Sequence, residues 1–333
     1  MTNRRMVLVE RPSGRVRVED VALAEEREPE PGPGAALVRV RYLSIDPTIR
    51  TWMNDAPGYM APIGLGDTVR GAGLGEVVRS NSTRYAPGDM VIGMTGWQDY
   101  TIADEGLSMM QVVPAGIDPV VALSVLGVTG MTAFFGMIDV GKVTEGDTVV
   151  VSAAAGATGS IAGQIARIKG AARVIGIAGN SEKCSWIVDS LGFDGAINYR
   201  SENVAAALRA RCPEGIDLYY DNVGGDILEA CLGQLALHAR IVLCGAISMY
   251  ESTTPPAGPA NIVNLILKRA RMEGFLLLDY FDRFPEAQMA LANWLAEDRI
   301  SHTEHVIHGL ERTPEALNML FTGGNTGKMI VKL

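Results

Sequence analysis

An apolar strand pattern leads directly into a turn of small residues at Thr148-Val149-Val150-Val151-Ser152-Ala153-Ala154-Ala155-Gly156-Ala157-Thr158-Gly159-Ser160. The turn fits A-x-G-x-x-G, a variant of the dinucleotide-binding pattern in which Ala154 takes the first glycine position. We expect Gly156 to let the backbone approach a pyrophosphate and Gly159 to let helix and strand pack closely, with the helix N-terminus offering N–H groups to the anion. A tight turn without a ligand is the alternative, and the strand-turn-helix context favours the dinucleotide.

Strand and helix patterns alternate along the chain after this turn. Helices are expected over Ile161–Lys169, Ile227–Leu237 and Pro285–Glu297, and strands over 173–177, 218–221, 240–244, 305–307 and 328–333. The alternation predicts an α/β fold with a doubly wound parallel sheet, the Rossmann arrangement. We expect the last two strands to rejoin the first domain.

Residues 1–120 have a different pattern, because short apolar strands are split there by Gly/Pro turns. Examples are Ala36–Val40, Gly75–Arg79 and Met90–Gly93. This pattern predicts a β-barrel-like domain. We therefore expect three segments: a first domain over 1–120, a dinucleotide-binding domain over 121–300, and a C-terminal segment over 301–333.

Composition excludes several classes of protein. The chain has 333 residues, 47% of them hydrophobic and 20% charged, with a net charge of -9 and a pI near 5.1. An acidic protein is not expected to bind nucleic acid, because its net negative charge opposes the negative phosphate backbone. No apolar signal core follows the N-terminus, and no stretch approaches the roughly 18 apolar residues of a membrane span. We expect no membrane partner and a cytoplasmic location.

The positions of cysteine and histidine oppose a zinc site. Residues 1–183 contain neither residue type, and the four cysteines are far apart with no CxxC pair. Such thiols are expected to be buried or incidental. His302, His305 and His308 are spaced by three, but the sequence around them has a strand pattern that would alternate their faces. We predict no metal.

The strand end about 20 residues past the glycines distinguishes NAD from NADP. An NAD site uses an acidic residue there, whereas this chain has Ala178 and Gly179, followed by Asn180, Ser181 and Lys183. Small residues leave room for a 2′-phosphate, with Lys183 as its countercharge and the other two side chains as donors. This favours NADPH over NADH, although an ordinary surface lysine is the alternative for Lys183.

Five segments together resemble a known family. They are Leu43-Ser44-Ile45-Asp46-Pro47, Ala153–Ser160, Asp221-Asn222-Val223-Gly224-Gly225, Cys244-Gly245-Ala246-Ile247-Ser248-Met249-Tyr250 and Gly324-Asn325-Thr326-Gly327-Lys328-Met329-Ile330-Val331. In this order they resemble the zinc-independent medium-chain dehydrogenase/reductases, in the branch of prostaglandin reductase (leukotriene hydroxydehydrogenase), plant alkenal double-bond reductases and bacterial curcumin reductase.

The resemblance implies a GroES-like substrate domain over 1–120, and NADPH-dependent reduction of the carbon–carbon double bond of α,β-unsaturated ketones and aldehydes. It also implies a homodimer. The residues that it assigns to the cofactor are Ala157, Thr158, Gly159 and Ser160 for the pyrophosphate, Lys183 and Tyr199 for the 2′-phosphate, Asn222 and Asn325 as further contacts, and Cys244, Gly245, Ala246, Ile247, Ser248 and Tyr250 with Phe275, Leu276 and Leu277 around the nicotinamide half.

Tyr250 is the predicted catalytic residue. Reducing an enone at its β-carbon leaves negative charge on the carbonyl oxygen, so the site needs a hydrogen-bond donor aimed at that oxygen. The phenol of Tyr250 can donate directly or order the nicotinamide ribose that does so, and either the phenol or water can protonate the α-carbon. A wall residue that stacks on the cofactor without chemical role is the alternative for Tyr250.

Two positions depart from the resemblance. Thr48 stands where relatives commonly have a substrate-facing tyrosine after Asp-Pro, and Glu251 stands where they often have asparagine. The smaller side chain at 48 leaves the substrate class open. A zinc-free NADPH quinone reductase and an NADPH-binding redox sensor without turnover remain as alternative functions.

Overall fold

The structure is a computed structural model that describes residues 1–105, 110–254 and 256–333. Its strands are β1 (Thr2–Leu8), β2 (Val21–Arg27), β3 (Ala35–Ser44), β4 (Ala72–Ser80), β5 (Met90–Met94), β6 (Tyr100–Asp104), β7 (Gln111–Val112), β8 (Thr148–Ser152), β9 (Arg173–Ala178), β10 (Gly195–Asn198), β11 (Ile216–Asp221), β12 (Leu235–Leu243), β13 (Arg271–Gly274), β14 (Glu304–His308) and β15 (Lys328–Lys332).

Helices connect most of these strands. They are α1 (Thr48–Trp52), α2 (Pro119–Leu123), α3 (Val128–Phe135), which continues as a π-helix over Gly136–Val140, α4 (Ala157–Ile168), α5 (Ser181–Asp189), α6 (Val204–Arg211), α7 (Gly225–Leu232), α8 (Asn264–Lys268), α9 (Phe284–Ala296) and α10 (Thr313–Thr322). Short 3-10 turns lie at Val18–Asp20, Ile247–Met249, Leu277–Arg283 and Leu310–Arg312.

The described chain divides into two compact units. The first unit comprises Met1–Leu123 and Glu304–Leu333, and the second unit comprises Ser124–Thr303. The second unit holds a six-stranded parallel sheet in the order β10-β9-β8-β11-β12-β13. This order reverses between β8 and β11, and ligands of such sheets bind at the carboxyl ends of the strands at that reversal.

Strand β8 is central to this sheet because its side chains are buried on both faces. Val149, Val150 and Val151 are fully inaccessible, as expected for a parallel strand covered by helices on either side. Helix α4 packs closely beside it. A Cβ at Gly163 would overlap the ring of Phe193, so the helix can approach at this distance only with glycine there.

The first unit is built on a seven-stranded sheet in the order β14-β15-β3-β4-β5-β7, with β6 also paired to β3. Strand β15 pairs antiparallel with β3, so that Ile330 lies opposite Ser44. Two strands from the last 30 residues therefore complete a sheet whose other strands lie within residues 35–112. The predicted fold class, a Rossmann sheet plus a barrel-like β domain, is confirmed.

One predicted helix is wrong in extent. The pattern indicated a helix over Ile227–Leu237, but α7 ends at Leu232 and Leu235 already begins β12. Gly233 closes the helix, and its N–H donates to the carbonyl oxygens of Glu229 and Ala230. A single apolar run thus spans two elements, because strand β12 is apolar enough to continue the helical pattern.

A buried ion pair joins the returning strand to the first part of the chain. The side chain of Lys328 is 2% exposed, and its Nζ donates to Asp46 Oδ1 at 2.6 Å and to the Ile45 carbonyl oxygen at 3.0 Å. The hydroxyl of Ser44 donates to the other carboxylate oxygen of Asp46 at 2.5 Å. The buried charge of Lys328 and the partly exposed charge of Asp46 are therefore both satisfied by hydrogen bonds.

We expect Lys328→Met to lower the free energy of unfolding by about 3 kcal/mol, because it leaves the Asp46 carboxylate without its counterion. The double variant Lys328→Met with Asp46→Asn should be more stable than the single variant, since it removes the uncompensated charge. Urea unfolding of the full-length chain measures both. Equal destabilisation by the single and double variants would contradict the ion-pair explanation.

Candidate cofactor-binding and active site

The glycine-rich turn lies at the carboxyl end of β8. Ala153 has a left-handed backbone with φ of 47°, which is unusual for a residue with a side chain. The Ala154 N–H donates to the Ile177 carbonyl oxygen of β9 at 3.0 Å, and the Gly156 N–H donates to the Ala153 carbonyl oxygen at 2.9 Å. These bonds fix the turn between the two strands.

Gly159 has a steric role that the sequence predicted. A Cβ at this position would collide with the carbonyl oxygen of Ala153 and lie 3.0 Å from the Cα of Ala154. The helix therefore approaches the turn so closely that any side chain at 159 displaces it. The close packing of helix and strand at Gly159 is confirmed.

Helix α4 begins at Ala157, four residues before the predicted start at Ile161. Its N-cap is Gly156, which has no side chain to occupy the first N–H groups. The backbone N–H groups of Ala157, Thr158 and Gly159 precede the first intrahelical bond, from Ser160 N–H to the Gly156 carbonyl oxygen. Such a helix start fits a pyrophosphate.

The carboxyl end of β9 forms the second half of the predicted cofactor site. Strand β9 ends at Ala178, and a Cβ at Gly179 would lie 3.1 Å from the hydroxyl oxygen of Tyr199. Glycine thus allows the Tyr199 phenol to lie against the strand end. Tyr199 and Lys183, which are 16 positions apart in sequence, both lie at this end of the sheet, directly after β10 and in the first turn of α5.

Lys183 differs from an ordinary surface lysine because it is half-buried. Burial lowers the pKa of its ammonium group, and the positive charge of Arg200 lowers that pKa further. The Asn180 side chain caps α5 by accepting the Lys183 N–H at 2.8 Å. The side-chain oxygen of Asn180 therefore has a structural role as a helix cap, whereas the sequence suggested Asn180 only as a donor to the phosphate. Arg200 was also missed, although it directly follows Tyr199.

Asn222 ties the end of β11 to the end of β8. Its side-chain Nδ2 donates to the Ser152 carbonyl oxygen at 2.7 Å, and its backbone N–H donates to the Ser152 hydroxyl at 2.8 Å. The buried Asp221 accepts hydrogen bonds at one carboxylate oxygen from Ser152, Tyr219 and the backbone N–H groups of Val223 and Gly224. The predicted cofactor residue Asn222 is thus held at the reversal of the sheet.

The segment Cys244–Tyr250 lies directly on the turn that follows β11. The N–H groups of Cys244 and Gly245 donate to the Asp221 carbonyl oxygen at 2.9 and 3.1 Å. The Ile247 N–H donates to the Asn222 carbonyl oxygen, and the Ser248 hydroxyl donates to the Val223 carbonyl oxygen at 2.6 Å. The structure therefore brings these two predicted segments together.

The phenol of Tyr250 folds back over this segment. Its hydroxyl oxygen accepts the Ala246 N–H at 3.0 Å. A Cβ at Gly245 would lie 3.3 Å from the same oxygen, so the glycine leaves space beside the phenol. A tyrosine hydroxyl can accept one hydrogen bond and donate another. This arrangement suits a proton donor of fixed position.

An aromatic cluster lies beside Cys244. The Tyr220 hydroxyl donates to the Thr132 carbonyl oxygen at 3.0 Å. A Cβ at Gly136 would lie 2.6 Å from the Tyr220 hydroxyl and 2.8 Å from the Phe275 ring. Burial raises the pKa of the Cys244 thiol to about 12, and the negative charge of Asp221 acts in the same direction. Cys244 is therefore a neutral thiol at physiological pH.

The remaining predicted residues are more accessible or belong to the first unit. Leu276 is exposed and Leu277 half-buried, directly after β13. Asn325 lies in the first unit, where it is buried and donates to the Gly327 carbonyl oxygen at 2.9 Å. In the same unit the hydroxyls of Thr48 and Tyr59 lie 2.5 Å apart, so a phenol contacts the position where relatives commonly have tyrosine.

Within residues 1–105, 110–254 and 256–333 no group of three His, Cys, Asp or Glu side chains is arranged to hold a metal ion. Across the same part of the chain, none of the helices combines the length and apolar character needed to cross a lipid bilayer.

A dinucleotide-type turn at the reversal of a parallel sheet is typical of a protein that binds a dinucleotide cofactor. Family models agree, since one described as the N-terminal domain of oxidoreductase matches residues 4–112 and one described as zinc-binding dehydrogenase matches residues 157–294. The NADPH-dependent curcumin reductase of Escherichia coli is 40% identical over 99% of this chain and 97% of its own.

Two further relatives have similar names. The 2-alkenal reductase (NADP(+)-dependent) of Nicotiana tabacum is 38% identical over 89% of this chain and 86% of its own. The crystal structure of CurA in complex with NADPH from Vibrio vulnificus is 42% identical, with a TM-score of 0.94 over 99% of this chain and 98% of that one. The chain therefore belongs to the medium-chain dehydrogenase/reductases, in the zinc-independent branch.

We expect Gly159→Ala to weaken binding of NADP⁺ by at least about tenfold, because the new methyl group must push the helix start away from the turn. Isothermal titration calorimetry measures the affinity and thermal unfolding measures stability. Ala153→Gly is the matched control, since glycine relaxes the left-handed backbone at 153 and keeps the turn. Wild-type affinity in Gly159→Ala would contradict the assigned role of this close approach.

Proposed function

We propose that this protein reduces the carbon–carbon double bond of α,β-unsaturated ketones or aldehydes with NADPH. The observation that carries the proposal is the position of Tyr250, whose phenol is held by a backbone N–H on the segment that packs against Asn222. The names of the relatives at about 40% identity support the same substrate class.

The residues proposed to hold the cofactor are distributed over three strand ends. Ala157, Thr158, Gly159 and Ser160 at the start of α4 would hold the pyrophosphate, Lys183 and Tyr199 the 2′-phosphate, and Asn222, Asn325, the stretch 244–250 and Phe275–Leu277 the nicotinamide half. When bound, NADPH supplies a hydride to the β-carbon of the substrate. The protein itself would bind and orient the cofactor and the substrate, and it can supply a proton to the substrate.

Tyr250 would stabilise the charge that develops on the substrate's carbonyl oxygen. Its hydroxyl oxygen accepts the Ala246 N–H, which withdraws electron density from the O–H bond and fixes the direction of donation. The substrate's β-carbon gains a C–H bond, the π pair of the carbon–carbon double bond forms a double bond between the α-carbon and the carbonyl carbon, and the π pair of the carbonyl moves onto its oxygen. The α-carbon then takes a proton from Tyr250 or from water, which restores the carbonyl group; a Tyr250 that gives up its proton regains one from water.

The decisive experiment is NADPH oxidation with a panel of alkenals, aryl enones, oxo-lipids and simple quinones. Reduced products with a saturated carbon–carbon bond, identified by mass spectrometry, are the expected result. Turnover of quinones alone would replace this proposal with a quinone reductase. Tight NADPH binding without consumption across the panel would favour a binding protein.

We expect Tyr250→Phe to lower kcat by about a hundredfold and to change the affinity for NADPH little, because it removes one donor and keeps the ring. Steady-state kinetics with the best enone of the panel measures this. Tyr280→Phe is the matched control, since that ring stacks on Phe135 at 4.4 Å and has no proposed contact with substrate. Unchanged turnover in Tyr250→Phe would remove the residue from the chemistry.

We also propose a homodimer formed through the β13 end of the second unit. Strand β13 is the last strand of the parallel sheet, and exposed apolar side chains lie on and before α8: Ile262, Val263, Ile266 and Leu267. Exposed backbone at a sheet edge and a neighbouring apolar patch both favour a partner surface, and a second copy of this chain can satisfy each.

We expect the wild-type chain to have twice the 35.5 kDa chain mass in multi-angle light scattering, and Ile266→Asp to shift it towards the single mass. Met289→Asp on α9 is the control, because that side chain is 66% exposed outside the patch. A monomeric wild type, or a dimer that tolerates both variants equally, would contradict this surface.

The roles of the three segments and the cellular location belong to the same proposal. We assign the substrate-binding role to residues 1–120, NADPH binding to 121–300, and completion of the first domain to 301–333. The four cysteines are free thiols, which agrees with a reducing compartment such as the cytoplasm.

A further inference from the structure

Arg200 lies directly after β10, at the same end of the sheet as Lys183. Its backbone N–H donates to the side-chain oxygen of Asn198 at 3.1 Å, and its guanidinium carbon lies 5.7 Å from the centroid of the Tyr199 ring. A cation at this distance over an aromatic ring is attracted to it. The exposed guanidinium is thereby positioned beside the Tyr199 phenol.

Lys183 and Arg200 are both cations that follow neighbouring strands, β9 and β10, at this end of the sheet. Lys183 is half-buried, and burial lowers the pKa of its ammonium group, with the positive charge of Arg200 acting in the same direction. Glu202, which follows β10, accepts hydrogen bonds from the Asn198 N–H at 2.8 Å and from Arg211 at 2.7 Å. Glu182 is exposed on α5. Two positive charges at one strand end favour an anion there.

We propose that Arg200 is the second cation of the 2′-phosphate site and a determinant of NADPH over NADH. This inference rests on the proposed cofactor preference and assigns a residue that the sequence did not indicate. A phosphate monoester carries a charge close to -2 at neutral pH, so it matches two cations and a phenol. The ribose 2′-hydroxyl of NADH offers neither charge nor a bidentate acceptor.

Lys183 and Arg200 have different roles in this site. Lys183 is a compact charge at the start of a helix, so it contributes attraction from a fixed, half-buried position. Arg200 presents a planar guanidinium that can donate two parallel hydrogen bonds to a phosphate while its face stays against Tyr199. The arginine therefore contributes geometry as well as charge.

The test is calorimetric binding of adenosine 2′,5′-bisphosphate and of 5′-AMP to the full-length protein. We expect Arg200→Ala to weaken the bisphosphate by about tenfold and to leave 5′-AMP unchanged, because only the former carries the 2′-phosphate. Arg200→Lys should lose less, since it keeps the charge. Arg209→Ala, an exposed arginine in the last turn of α6, is the matched control and should bind as wild type.

Two results would overturn the inference: unchanged bisphosphate affinity in Arg200→Ala, or equal losses for both nucleotides, which would indicate support of the adenosine rather than recognition of the phosphate. Circular dichroism confirms that each variant is folded. Because binding is measured without turnover, a protein that reduces no enone can still show the Arg200 dependence. A working reductase without that dependence would refute this inference alone.

Discussion

The second unit depends on one close approach, that of the α4 N-terminus to the carbonyl oxygen of Ala153. Without a side chain at Gly159, the helix begins directly where β8 ends, and its first N–H groups stay available to a ligand. Asn222 then fixes the neighbouring strand β11 against the same point through Ser152. The whole ligand-binding edge of the sheet is assembled around this contact.

Asp221 extends that assembly towards the proposed chemistry. One carboxylate oxygen organises the turn after β11, and the Asp221 carbonyl oxygen receives the N–H groups of Cys244 and Gly245. Tyr250 follows on this segment and closes it by accepting the Ala246 N–H. The carboxylate oxygen of Asp221 that organises the turn receives several donors, and the carbonyl oxygen of the same residue holds the start of the segment that carries Tyr250. Asp221 thus helps to position a phenol 29 residues later in the chain.

Sequence predicted the parts of this fold that follow from local patterns. The β8 strand, the turn and the steric need for Gly159 could be predicted because β-branched runs and small residues have direct geometric consequences. The end of α7 could not, since the apolar pattern continues into β12. Arg200 was also missed, because its nearness to Lys183 arises only when β9 and β10 pair. The hydrogen bond from the Ala246 N–H to the Tyr250 hydroxyl depends on how the backbone folds between these two residues, which residue spacing alone does not show.

The chemistry of the cysteines has a consequence for an enzyme that handles electrophiles. Enones and enals form covalent adducts with thiolates, so a reactive cysteine would be consumed by the substrate. Burial raises the pKa of Cys212 to about 11 and that of Cys244 to about 12, and it also raises the values of Cys184 and Cys231. A raised pKa keeps these thiols protonated at neutral pH, and the thiolate is the form that reacts. The same packing that forms the nucleotide-binding unit thus protects the protein against alkylation by the compounds it is proposed to reduce.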